Sequence, residues 1–332
     1  MWTDYAIHYL FFVLQALTIV VAIVIGLGLV LAVSAKARHT KKGRLSIHSL
    51  NACYQKQQAL MAKAVVSKSA FKKFHKQHHI AHKKCQKTKD RFKRVFVIDF
   101  SGDIRASQVE GLTEEVNAIL SIAEKRDEVV VRIQSPGGVV NGYGLAAAQL
   151  ARIKEAGIHL VAAIDQVAAS GGYMMASVAD QIIASPFAVV GSIGVVAELP
   201  NIHRLLEKKG VDIELHTAGK YKRTLTVLGE NTEQGREKFK QELEVVHRLF
   251  KTHIAFYRPS LKVEEVATGE YWYGKSAIAL NLVDHLLTSD AYLLGKYKTG
   301  DYQLFSLEYK LKKSRLSVLS HALKHSLFRV GL

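Results

Sequence analysis

The chain has 332 residues, 48% of them hydrophobic and 23% charged, which excludes wholesale disorder and leaves length for one large domain or two small ones. Two cysteines, Cys53 and Cys85, exclude a disulfide-stapled scaffold and argue against a cysteine zinc site. The formal charge of +17 points to nucleic acid only until it is located: residues 1–94 carry 18 Lys/Arg against Asp4 and Asp90, whereas residues 95–332 carry 28 against 27 acids. A near-neutral domain sits behind a basic front end.

No charge occurs between Asp4 and Lys36, and Leu10–Val33 is almost wholly apolar. A helix needs about 20 such residues to cross a bilayer and satisfies its backbone polar groups internally. A cleaved signal peptide would have a shorter apolar run with positive charge before it. Residues 1–35 therefore read as an N-terminal transmembrane anchor that meets the bilayer through residues 10–33. Lys36, Arg38, Lys41, Lys42 and Arg44 follow the run directly, so the positive-inside rule puts the rest of the chain in the cytoplasm, with the periplasmic side as the alternative.

Residues 36–94 read as a basic connector, solvated or close to anionic headgroups. His75, His78, His79 and His82 lie among its lysines, but no acid accompanies them, only Cys85, and the surrounding charge repels a cation. No metal is expected there. Aromatics are sparse (Tyr54, Phe71, Phe74, Phe92) and no recognition motif is present, so no nucleic-acid partner is expected either.

From Val95 the texture changes. VFVIDF, VVVRI and HLVAAI read as strands. Between the first two, Val109, Leu112, Val116, Ile119 and Ile122 mark the apolar stripe of a helix; Tyr143–Glu155 is a second helix. Strands alternating with helices predict an α/β layered domain over residues 95–300. The apolar run 181–197 is broken by Pro186, Gly191 and Gly194 and reads as a pair of core strands. Residues 301–332 form a basic amphipathic tail, with Leu316, Leu319, Leu323, Leu327 and Val330 on one stripe that packs on a neighbour or lies on a membrane.

Four segments could carry chemistry. Gly269–Ser276 matches the G-x-x-x-x-G-K-[ST] phosphate loop in letters, but Tyr-Trp-Tyr fills the loop where small residues are needed, so packed aromatics followed by a helix are expected. Gly142, Gly144 and Ala147, with Asp165 beyond them, fit a dinucleotide fingerprint, but Ser135-Pro136-Gly137-Gly138 occupies the strand-end turn that the fingerprint requires. Ser170 lies among small residues at a strand end and a helix start, either as a nucleophile or as an N-cap, and Ala168 departs from the G-x-S-x-G elbow. A serine nucleophile needs a base. His203, His216, His247 and His253 are available; so is Lys222, flanked by Lys220 and Arg223, since a lysine serves where desolvation or neighbouring charge favours its neutral form.

Taken together, these segments resemble the signal peptide peptidase (SppA) family of serine proteases, above all its SohB branch. The matching stretches are Ser135-Pro-Gly-Gly138, Ala169-Ser-Gly-Gly-Tyr173, Gly191-Ser-Ile-Gly-Val195, Gly219-Lys-Tyr-Lys-Arg-Thr-Leu225, Gly229-Glu-Asn-Thr232 and Asn281-Leu-Val-Asp284. The resemblance covers roughly residues 90–290 and implies a ClpP/crotonase-like fold. It also implies a Ser–Lys dyad: Ser170 as nucleophile, Lys222 as general base, Gly137 and Gly138 in the oxyanion region, and Ser192 as the lysine's partner. No cofactor is implied. The implied activity is endopeptidase cleavage of signal-peptide remnants or membrane-protein fragments at a bacterial inner membrane, by a homo-oligomer whose subunits share active sites. A non-catalytic membrane scaffold and a crotonase-like acyl-CoA enzyme are the alternatives on the same fold.

Overall fold

The computed structural model describes residues 8, 10–25, 43–72 and 92–310. The chain divides into two compact units, residues 45–308 and a second formed by residues 1–44 with 309–332.

In the second unit, residues 10–25 are helical, and residues 26–33 of the expected span lie outside the described residues. Among the described residues no helix is long and apolar enough to cross a membrane. The histidine cluster, Cys85 and the tail stripe also lie outside the described residues.

The larger unit is mixed α/β. Its elements begin with β1 (Arg44–Ser49), α1 (Leu50–Val65), β2 (Lys93–Ser101), α2 (Val109–Leu120), β3 (Glu128–Gln134), α3 (Val140–Glu155) and β4 (His159–Ile164). They continue with β5 (Val167–Ala169), α4 (Gly171–Ser177), β6 (Gln181–Ala184), β7 (Val189–Gly191), α5 (His203–Lys208) and α6 (Glu233–Tyr257). Last come α7 (Val263–Val266), β8 (Tyr271–Tyr273), α8 (Gly274–Ala277), β9 (His285–Leu286), α9 (Ser289–Thr299) and β10 (Tyr302–Lys310). A seven-stranded sheet runs β1-β10-β2-β3-β4-β6-β9, and a three-stranded sheet runs β5-β7-β8. Ordered structure thus extends past both ends of the 95–300 stretch: β1 and α1 lie in the expected connector, and β10 pairs in parallel with β2 from within the expected tail.

The central strands lack polar alternation because both faces of the sheet are covered. On one face Ile98, Val131, Ala162 and their neighbours pack against α2, α3 and α4; on the other Val97, Val130, Val161 and Ala163 meet Leu293 of α9. The stripe of α2 buries Leu112, Val116 and Ile119, but the helix stops at Leu120 and leaves Ile122 exposed. The run 181–197 does hold two core strands, β6 and β7, one in each sheet.

Both nucleotide-loop patterns resolve into ordinary structure. Gly142 and Gly144 lie inside α3, and Asp165 accepts from the Ser289 N–H at 2.8 Å. Of the aromatics in Gly269–Ser276, Trp272 packs over Gly191, while Tyr271 and Tyr273 are exposed on β8.

Candidate active site

Strands β5 and β7 lie parallel, with Ala169 opposite Gly191, so the two serines that follow them, Ser170 and Ser192, emerge side by side. The Ser170 N–H donates to the Gly191 carbonyl at 2.8 Å, which ties the two turns together. Both serines have positive φ: 50° at Ser170 and 51° at Ser192. Such a conformation costs a non-glycine residue about 1–3 kcal/mol and persists only where the surroundings impose it.

Ser170 stands at the N-cap position of α4 with φ 50° and ψ −117°, yet its side chain makes no capping hydrogen bond. The N-cap alternative therefore fails, because capping needs a side-chain acceptor turned back to the helix. A strained strand-to-helix turn presenting a free hydroxyl is the geometry of a nucleophile elbow, reached here with Ala168 in place of the first glycine. The sequence pattern alone missed this.

The glycine turn touches the serine directly. Gly137 has φ 92°, and a Cβ there would lie 2.7 Å from Ser170 Cβ and 2.9 Å from the Gly171 nitrogen. The Gly137 N–H donates to Ser135 Oγ at 3.1 Å. The N–H groups of Gly138 and Gly171 have no acceptor among the described residues. Two free donors thus flank Ser170, and Gly171 is a second one that the strand-end motif did not indicate.

Lys222 occupies a contrasting place. It lies in a turn closed by its own N–H to the Gly219 carbonyl at 3.1 Å, and its side chain is exposed. Lys220 and Lys238 lie over the Tyr221 ring at 5.2 and 5.3 Å, so those ammonium groups are engaged, whereas the Lys222 ammonium has no hydrogen bond or ion pair among the described residues. No hydrogen bond joins it to Ser170 or Ser192 in the single chain. Downstream of the turn the chain is pinned. Asn231 Oδ1 accepts the Thr226 N–H at 2.8 Å, and the Asn201 amide donates to the Thr226 and Gly229 carbonyls at 2.9 and 3.0 Å. Thr232 then caps α6 by accepting from the Gly235 N–H.

The downstream histidines do not serve Ser170. His253 Nε2 sits 3.0 Å from the Met174 carbonyl, which can only accept, and burial pushes its imidazole below the ordinary histidine value. His216 pairs with Glu214 at 3.1 Å. Neither His203 nor His247 bonds to Ser170. No group of three or more His, Cys, Asp or Glu is placed to hold a metal among the described residues.

Asn281-Leu-Val-Asp284 is structural. Asp284 accepts from Arg258 at 2.7 and 2.8 Å and from the Ile182 N–H at 2.6 Å; the Leu282 carbonyl accepts from Tyr173 of α4 at 2.9 Å. Burial alone would raise the Asp284 carboxyl, but the Arg258 hydrogen bonds, the Ile182 N–H and the Arg258 charge hold it below the usual carboxylate range.

Residues 4–150 match the model of the peptidase family S49 N-terminal domain, and residues 152–298 match that of peptidase family S49. The chain is 44% identical to a probable protease SohB of Haemophilus influenzae, over 99% of this chain and 96% of that one. It is 50% identical to a probable protease SohB of Buchnera aphidicola, over 72% and 70%. A chloroplastic serine protease SPPA of Arabidopsis thaliana is 33% identical over 53% of this chain and 26% of its own.

Proposed function

The chain belongs to peptidase family S49 and is a serine-type peptidase, and from that premise we propose that Ser170 is its nucleophile and Lys222 its general base. The observation that carries the reading is Ser170 itself: strained, uncapped, and flanked by two unpartnered N–H groups. The neutral amine of Lys222 takes the Ser170 proton as Oγ attacks the peptide carbonyl. The Gly138 and Gly171 N–H groups, on the turn that Gly137 begins, donate to the oxyanion. The protonated lysine then gives its proton to the leaving amine, and water releases the acyl group by the same route in reverse. Ser192, beside Ser170, orients the lysine.

The Lys222 side chain is exposed and makes no hydrogen bond to Ser170 in one chain, which supports a dyad formed between subunits of a homo-oligomer. Cover by a neighbour removes the amine from water, which favours its neutral form. Ile104, Val139 and Val140 expose apolar side chains beside Gly138 and suit apolar peptides such as signal-peptide remnants or membrane-protein fragments. The two-sheet α/β arrangement supports the ClpP/crotonase-like reading. The exposed apolar side chains of helical residues 10–25 support a single-pass anchor over residues 10–33 in a bacterial inner membrane, with the peptidase domain in the cytoplasm.

Co-expression of Ser170→Ala with Lys222→Ala subunits tests the dyad. Each variant alone is expected to be inactive on peptides, and the mixture to regain activity. Activity in either variant alone sinks the dyad, and an inactive mixture places each site within one chain. Proteolysis of intact spheroplasts should leave the domain uncut; cutting there would put it on the periplasmic side.

A further inference from the structure

Proton transfer and oxyanion binding leave one buried pair unused. Ser135 and Tyr143 are both wholly buried, at 0% exposure, and their hydroxyls touch. The direction of each hydrogen bond follows from chemistry. The Asp103 carbonyl can only accept, so Tyr143 donates to it, at 2.8 Å. With its one proton engaged there, Tyr143 accepts from Ser135. The Ser135 oxygen, its own proton engaged, accepts the Gly137 N–H at 3.1 Å. A single chain therefore runs from the Gly137 N–H through Ser135 and Tyr143 to the Asp103 carbonyl, each link polarising the next. It ties the oxyanion turn to α3 and to the loop after β2.

The same pair backs the nucleophile. The Ser135 N–H donates to the Val167 carbonyl at 2.9 Å, and the Ala169 N–H donates to the Ser135 carbonyl at 3.0 Å. Side chains at Gly171 and Gly172 would run into the Tyr143 ring and the Ser135 carbonyl. Ser135 thus contacts both the strand that delivers Ser170 and the turn that faces it.

We propose that Ser135 and Tyr143 are positioning residues for the oxyanion turn. By holding the Gly137 N–H inward, they leave the next one, that of Gly138, free for the substrate's carbonyl oxygen. The proposal rests on the reading of Ser170 as nucleophile. Without the Ser135 acceptor, the Pro136–Gly137 peptide is free to rotate and the donor behind it loses its aim.

The test uses the full-length chain, a peptide substrate, and active sites titrated to completion with a fluorophosphonate. Ser135→Ala removes one atom, and Tyr143→Phe keeps the ring, so the second variant reports should the first not fold. For each, kcat per titrated site is expected to fall about 10- to 100-fold, up to the loss seen when one oxyanion donor is removed. KM should stay within about twofold, because substrate binding does not use the developing charge. Affinity for a peptide boronate, which mimics the tetrahedral intermediate, should fall by the same factor as kcat/KM. The double variant should be no worse than Ser135→Ala, since one chain breaks only once. Wild-type kcat per site and wild-type boronate affinity, with only the titre or the melting temperature lowered, would overturn the proposal. Losses that multiply in the double variant would overturn it as well. Wild-type hydrolysis that survives Ser170→Ala would instead remove the nucleophile on which the proposal rests.

Discussion

The surroundings of Ser170 and those of Lys222 differ in almost every physical respect. Around Ser170, residues 171–177 are buried, two parallel strands and a glycine turn converge, and the backbone is held at positive φ. Around Lys222 the chain is exposed, Gly219 has φ 97° with open space about it, and Leu215, Tyr221 and Leu228 show apolar side chains to solvent. One half of the proposed dyad is built and strained before substrate arrives. The other half is presented on a loop whose apolar side chains are exposed in the single chain. Electrostatic stabilisation requires rigid donors, whereas the proposed proton acceptor, drawn from another subunit, would need reach first and desolvation second.

The comparison can be broken at either end, and the largest effect belongs to the built half. Ser170→Ala should lower kcat at least about ten-thousandfold, as loss of a serine nucleophile does elsewhere. Steady-state hydrolysis with purified chain measures it, and residual activity within a hundredfold of wild type would remove Ser170 from the site. Lys222→Ala should lower kcat about a thousandfold or more, yet change the stability of the single chain's fold by less than about 0.5 kcal/mol, because within one chain its side chain is exposed and makes no hydrogen bond or ion pair among the described residues. Activity and denaturant melts on the same sample separate the two effects.

A third prediction concerns the frame beneath Ser170. Arg258→Ala leaves the half-buried Asp284 without its bidentate partner, and should cost about 2 kcal/mol in stability. The same pair sets an acid limit. A carboxyl held below its unfolded value contributes stability that is full above about pH 4 and is lost as pH falls through the folded value. Asp284 acts in this direction. So does Asp127, where burial raises the carboxyl but the Arg94 hydrogen bonds, the Glu124 and Arg94 N–H groups and the Arg94 charge outweigh it. Wild type should lose stability below about pH 4, and Arg258→Ala should lose less over the same window.

The smallest effect sharpens the contrast. Ser170→Gly relieves the positive φ and should stabilise the fold by about 1 kcal/mol while abolishing activity. No equivalent gain is expected for Lys222→Ala. A destabilised Ser170→Gly would mean that the turn is not strained.

Much of the layered fold was legible because its signal is local. Val129, Val130 and Val131 form an unbroken apolar run, and such a run between turn residues marks a strand covered on both faces. Boundaries were less legible. Residues 44–49 and 302–310 read as basic connector and tail, whereas their place in the sheet depends on partners far away in sequence. Three motif segments parted company in the same way. Ser170 proved strained and uncapped, whereas Asn231, Thr232 and Asp284 turned out to be pins and caps.

The sequence by itself determined the partition of charge, the alternation of strands and helices, and which serine and lysine to weigh, because these follow from residue type and local spacing. Only the tertiary structure decided that Ser170 is bent out of its capping role, that Ser135 takes the Gly137 N–H and leaves the Gly138 N–H free, and that the Lys222 side chain is exposed and makes no hydrogen bond to Ser170 in a single chain. Each of those depends on a backbone direction or a distant partner, which no local pattern of residues encodes.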